Sequence, residues 1–353
     1  MTLVPPSARL NTFTLEHNIP VAVTIELTRR CPLSCLHCYL PETRGRAPAG
    51  RELDTAQWAD ILRQLARAGA LYLVFTGGEP LLRPDLAELC ACAKKLKFDV
   101  RVYSTGLGLT AELARGLKAA GVSAVEISFY GRAAAHDAVT GLAGSFGCSL
   151  AAARLLKKTG LQVKMKTPLM KKNLAQAGWL KALAKREGFI ISFDPVITSA
   201  NDGNAAALKL RLTGARLAKA VKLYGAATKA GPGGEAAPDT SSLDFLCGAG
   251  RNVCAVVPNG DLYPCLQLPV KLGNLTRLKF AAIWENHRWL KKWRSYGLKD
   301  LKGCADCPYM DFCSRCPGLS LLEEGDCLAP NKPACEMAKI QKKLLYHSKQ
   351  TSS

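Results

Sequence analysis

Short apolar runs alternate with stretches of helical periodicity through the first two hundred residues. Strand-like runs, rich in β-branched and aromatic residues, fall at 21–28, 71–76, 99–104, 123–129, 161–167 and 189–194. Between them, 54–68, 84–96, 110–120, 145–159 and 174–186 read as helices, with Asp54 as an N-cap, and a last helix covers 211–228. Six βα units in a row predict an α/β protein with right-handed crossovers. The strands are short apolar runs, as in a parallel sheet covered by helices. A barrel or partial barrel of this kind puts its chemistry at the C-terminal ends of the strands.

The pattern changes after residue 229. Residues 230–242 are rich in Gly, Pro and Ala and read as a linker. Residues 243–337 show little helical periodicity but many cysteines, so metal is expected to supply part of that core. Residues 1–20 form an N-terminal extension. Residues 338–353 form a basic tail, and 337–346 predict a basic amphipathic helix packed on its own domain. No apolar run approaches the ~20 residues of a membrane span. The N-terminus lacks the basic and apolar regions of a signal peptide. A cytoplasmic protein is expected.

Fifteen cysteines in a reducing compartment argue for metal rather than disulfides. Eleven fall into groups, while Cys90, Cys92, Cys148 and Cys327 read as ordinary buried cysteines. Cys31-Pro-Leu-Ser-Cys35-Leu-His-Cys38 follows the first strand. Three soft thiolates on one loop suit three irons of a cubane cluster and leave one iron open. Zinc is the alternative, but it wants four ligands, and His37 is poorly placed beside Cys38. Thr76-Gly77-Gly78-Glu79-Pro80 ends the second strand, where two glycines allow the backbone to approach a ligand.

Cys-x3-Cys-x2-Cys followed by an aromatic, here Tyr39, resembles the radical S-adenosylmethionine (SAM) superfamily. The resemblance implies that the open iron chelates SAM, which is cleaved to methionine and a 5′-deoxyadenosyl radical. It implies SAM contacts from Tyr39 and from Gly77, Gly78, Glu79 and Pro80, the family's GGEP motif. Ser104-Thr105-Gly106 resembles the family's Thr-Asn-Gly segment, with Thr105 in place of Asn. Ser128 matches a serine that faces SAM. The stretches 128–173 and 194–203 resemble the peptide-modifying branch, with no chemical role evident for His136 or Asp137.

The downstream cysteines resemble the SPASM domain, which carries auxiliary [4Fe–4S] clusters. By that resemblance Cys247, Cys254, Cys265 and Cys316 hold one cluster. Cys304, Cys307, Cys313 and Cys335 hold the other, with Cys335 preferred to Cys327 because the spacing after Gly325-Asp326 matches the family. Two zinc sites are the alternative. The expected architecture is therefore a partial (β/α)6 TIM-like barrel followed by a small Cys-rich iron–sulfur SPASM domain.

The formal net charge of +20 counts every cysteine as neutral. Three clusters with deprotonated ligands remove roughly 5 units, leaving a surplus near +15. Such a surplus suits an acidic partner, a peptide or a reducing flavodoxin or ferredoxin before nucleic acid, with no membrane partner expected; a generally lysine-rich surface is the alternative. The function expected first is hydrogen abstraction from a peptide or protein substrate. A small-molecule enzyme of modified-haem type, or a maturase of another enzyme, is the second; a non-enzymatic basic metal module is the third. About twenty residues precede the first strand, so a separate chain is expected to recognise any leader peptide. The sulfatase-maturating branch carries Asp directly after the cysteine matching Cys265. Here Leu266 and Gln267 follow, which removes the general base of that route.

Overall fold

The computed structural model describes residues 6–40, 51–229 and 245–350; the expected linker lies outside them. Helix α1 (Pro6–Glu16) leads into β1 (Ala22–Glu26). There follow α2 (Thr55–Arg67), β2 (Tyr72–Thr76), α3 (Leu86–Lys95), β3 (Asp99–Ser104), α4 (Ala111–Ala119) and β4 (Ala124–Ser128). After a helix pair, α5 (Ala133–Thr140) and α6 (Ser145–Lys158), come β5 (Gln162–Pro168), α7 (Ala177–Glu187), β6 (Ile190–Asp194) and α8 (Gly214–Lys229). Asp54 does cap α2: its carboxylate accepts from the Gln57 amide while the Gln57 side chain accepts from Asp54 N–H. Helices α1 and α5 are absent from the periodicity, being short and weakly patterned.

The apolar runs turn out to have two unlike faces, as alternation along a strand requires. Val23, Ile25, Leu73, Phe75, Val100, Val102, Val125, Ile127, Val163, Met165 and Phe193 all join one core with the helices. That core includes Trp58 and Leu62 of α2, Leu89 of α3, Leu117 of α4, Leu156 of α6, Leu180 of α7 and Leu217 of α8. The alternate positions carry Thr24, Glu26, Tyr103, Glu126, Ser128, Lys164, Lys166 and Asp194. The site lies on this polar face.

The C-terminal segment does not form a separate sheet. Its strand β7 (Val253–Val256) pairs in parallel with β1, Ala22 opposite Val253 through Ile25 opposite Val256. Strands β8 (Asp261–Tyr263) and β9 (Gly273–Asn274) then add in antiparallel fashion. The sheet has nine strands in the order β6-β5-β4-β3-β2-β1-β7-β8-β9, so it is open, with β6 at one edge. The six expected βα units thus share a sheet with the cysteine-rich segment, and Cys254 stands in register with Val23.

That segment also contains more helix than its periodicity suggests: α9 (Phe280–Asn286), α10 (Arg288–Ser295), α11 (Pro317–Glu324) and α12 (Lys332–Gln350). The first three have only seven or eight residues each, about two turns, too few for a repeat to be legible. In α10 two buried residues, Leu290 and Trp293, suffice to fix its face. Helix α12 packs against α8, with Met337 and Ala338 buried. Of the four ungrouped cysteines, Cys90 is buried and Cys92 and Cys327 half-buried, but Cys148 is exposed. No single described helix is long and apolar enough to cross a membrane.

Candidate active site

The loop bearing Cys31, Cys35 and Cys38 is gripped from two sides. On one side Gly78 N–H donates to Thr28 O (2.7 Å) and Glu79 N–H to Arg30 O (2.8 Å). A Cβ on Gly77 would stand 2.3 Å from Thr28 O, and one on Gly78 2.3 Å from Arg30 O. The glycine pair is therefore required by the protein's own chain: what approaches closely is the exit of β1 feeding Cys31. On the other side Ser34 N–H donates to Thr140 O (2.8 Å) and Leu36 N–H to Val139 O (3.0 Å).

The three thiols lie within electrostatic reach of one another. Burial pushes Cys31 up to about 11 and Cys35 up to about 12, and the neighbouring thiols add to both shifts. Three thiolates so placed require a cation, which is the donor chemistry an iron–sulfur core meets. Among the described residues no three His, Cys, Asp or Glu side chains converge on the single point a mononuclear ion needs.

A cavity of about 550 Å³ opens over this loop at the C-terminal ends of the strands. Tyr39, Gly77, Gly78, Ser104, Thr105 and Ser128 all line it with the three cysteines. Glu79 and Pro80 do not; they lie behind the wall. The fully buried Glu79 carboxylate accepts from Ser104 Oγ (2.7 Å), Thr105 N–H (2.7 Å), Leu81 N–H (3.0 Å) and the Thr105 hydroxyl. Burial raises its pKa, and these hydrogen bonds pull against that shift. Its role in this geometry is to set the end of β3. Tyr39 spends its hydroxyl on Glu26 (2.7 Å) and its carbonyl on the Asn201 amide (3.0 Å).

The cavity also gathers residues that carried no assigned role: Tyr103, Glu126, Tyr130, Lys166, Asp194 and Gln267. Glu126 is buried and paired with Lys164 at 3.3 Å. Lys166 Nζ sits 4.6 Å from the centre of the Tyr103 ring. Asp194 accepts from Val196 N–H (2.9 Å); burial raises its pKa, while that bond and the Lys166 charge oppose the rise. One signal was available for these groups. A charged residue inside an apolar strand marks the face turned away from the helices.

The downstream thiols fall into two neighbourhoods. Cys265 interacts with Cys247, Cys316 and Cys254. Cys304, Cys307, Cys313 and Cys335 interact among themselves. Burial raises the Cys327 pKa, and the charges of Asp326 and Cys316 add to the rise. Arg315, half-buried between the groups, faces Cys304, Cys313, Cys327 and Cys316, and holds the chain by donating to Ala329 O (3.0 Å). Gly318 packs so tightly on the loop after Cys265 that a Cβ would stand 1.7 Å from Gln267 O. Cys316 lies on the wall of the same cavity as Cys31, Cys35 and Cys38.

Comparison with known proteins places this geometry. Residues 25–176 match the radical SAM superfamily, and residues 247–317 match the SPASM iron–sulfur cluster-binding domain. The chain is 30% identical to the AdoMet-dependent heme synthase of Methanosarcina barkeri, over 90% of this chain and 97% of that protein. It is 33% identical to the PqqA peptide cyclase of Streptomyces rochei, over 90% of each. It is 31% identical to the mycofactocin maturase MftC of Mycolicibacterium smegmatis, over 89% of this chain and 82% of that one. Its fold resembles that of Streptococcus suis SuiB bound to precursor peptide SuiA, with a TM-score of 0.71, 18% identity and 94% and 80% of the two chains covered. The protein belongs to the radical SAM superfamily and carries a C-terminal SPASM domain. It is an enzyme whose cofactors are SAM and [4Fe–4S] iron–sulfur clusters.

Proposed function

We propose that the enzyme abstracts hydrogen from a side chain of a peptide or protein substrate, as a post-translational modification. Cys31, Cys35 and Cys38 hold the radical-generating cluster. Gly77, Gly78, Ser104, Thr105, Ser128 and Tyr39 bind SAM, and Glu79 with Pro80 supports that wall from behind. Cys247, Cys254, Cys265 and Cys316 hold one auxiliary cluster, and Cys304, Cys307, Cys313 and Cys335 the other. The cofactors supply reductive cleavage of SAM and the 5′-deoxyadenosyl radical. The chain orients the reacting groups and excludes water: Tyr103, Glu126, Lys166 and Asp194 form the polar wall that fixes substrate. A flavodoxin- or ferredoxin-type protein supplies electrons, and its acidity suits the cationic surplus.

The observation that supports this reading is the shared cavity, with the three-cysteine loop on one wall and Cys316 on another. Its volume lies in the range of a single drug-sized ligand. A second reading, a small-molecule substrate of modified-haem type, is favoured by the full-length match to a heme synthase. Reduced enzyme with SAM and a deuterated peptide encoded beside its gene is expected to yield deuterated 5′-deoxyadenosine. Label transfer from a deuterated porphyrin, with none from any such peptide, would establish the second reading instead.

A further inference from the structure

The adjacent residues His136 and Asp137 carry no role in the chemistry above, yet both carboxylate oxygens of Asp137 are hydrogen-bonded, and buried His136 accepts from Tyr130 N–H at Nδ1 (3.4 Å) while its Nε2 has no partner. The Asp137 carboxylate accepts from Gly144 N–H (2.7 Å), Phe146 N–H (2.9 Å) and Ser145 Oγ (2.9 Å). It does for α6 what an N-cap side chain normally does, because the N-cap residue Gly144 has none. The Ser145 hydroxyl in turn lies 2.7 Å from Thr140 Oγ1. The turn from 140 to 146 is thereby closed on Asp137.

This turn ends α5, and a helix end leaves its last carbonyls without partners inside the helix. Two of them, Val139 O and Thr140 O, accept from Leu36 and Ser34 of the cysteine loop. The loop is the cap of α5. Gly141 adopts φ +74°, and a Cβ there would stand 3.2 Å from Ser34 O. His136 backs the same contact. Its ring packs 5.3 Å from Tyr130, and Tyr130 packs 5.0 Å from His37 in the cysteine loop.

We infer that Asp137 is a positioning residue for the radical-generating cluster: by closing the 140–146 turn it aims the α5 carbonyls at Ser34 and Leu36, and so sets the spacing of Cys31, Cys35 and Cys38. The inference rests on the assignment of those three cysteines as cluster ligands. Hydrogen exchange on the holoenzyme tests it, with electron paramagnetic resonance of the reduced, SAM-bound protein as the second readout. Asp137→Ala should speed amide exchange in residues 31–39 by roughly tenfold, as expected for loss of one or two hydrogen bonds. The signal of that cluster should broaden or disappear while the auxiliary signals persist. Ser145→Ala, which removes one of the three donors, should fall between wild type and Asp137→Ala. Unchanged exchange in 31–39, or an equal rise across the whole barrel in both variants, would overturn the inference. Wild-type protein without iron on the loop would instead sink the assignment of its ligands.

Discussion

Replacing Gly78 with alanine is expected to abolish SAM cleavage. The new Cβ would meet Arg30 O at 2.3 Å and Arg29 O at 2.7 Å, and both are backbone atoms that cannot rotate aside. The strand exit must then move, breaking the bonds from Gly78 to Thr28 and from Glu79 to Arg30. That displacement is applied one residue before Cys31. A misplacement of about 1 Å in a reacting group costs on the order of a hundredfold in rate. Formation of 5′-deoxyadenosine under dithionite should fall at least that far, and stability should drop by roughly 2–4 kcal/mol. Gly178→Ala is the control. It lies within α7, a Cβ there meets open space, and it should be neutral or slightly stabilising.

Gly318→Ala should fail in a different way. Its Cβ would overlap Gln267 O at 1.7 Å, in the first turn of α11 just after Cys316. Relief of that overlap moves Cys316 away from Cys265. The expected result is loss of about four of some twelve irons, the content of one cubane in three. SAM cleavage should continue, because the Cys31–Cys38 loop is held by other contacts, while conversion of substrate should fall by about a hundredfold. The pair of variants separates radical formation from radical use: Gly78→Ala loses both, and Gly318→Ala loses only the second. Iron analysis with 5′-deoxyadenosine and product quantified together checks this.

The alternation of strands and helices was legible from residue 21 onward because each βα unit is a local pattern. The cysteine loop was legible for the same reason, since its ligands and their spacing lie within eight residues. Other features depend on contacts between distant segments. Val253 pairs with Ala22, its neighbour in the sheet but more than two hundred residues away in sequence, and no local period announces that β7 joins β1. Gly77 and Gly78 invite a ligand explanation in the sequence, whereas the structure puts the exit of β1 against them. Glu79 reads from the sequence as a SAM contact, whereas three of its four hydrogen bonds join it to Ser104 and Thr105 at the end of β3 and the fourth to Leu81 N–H. Lys166 and Asp194 lie on the polar face of strands that alternate with apolar residues, and their shared cavity emerges only once β5 and β6 pair in register, Pro168 opposite Asp194. His136 and Asp137 show the same limit: their partners at 130, 144, 145 and 146 are near in sequence, but what they hold in place is the loop a hundred residues earlier.

The most direct test of the whole account is anaerobic SAM cleavage by two variants compared side by side. Cys31, Cys35 and Cys38 replaced together by alanine should leave about eight irons on the protein and produce no 5′-deoxyadenosine. Cys304 and Cys307 replaced together should lose about four irons and still cleave SAM. Continued 5′-deoxyadenosine formation by the triple variant would contradict the account, because the radical would then arise somewhere other than the loop after β1.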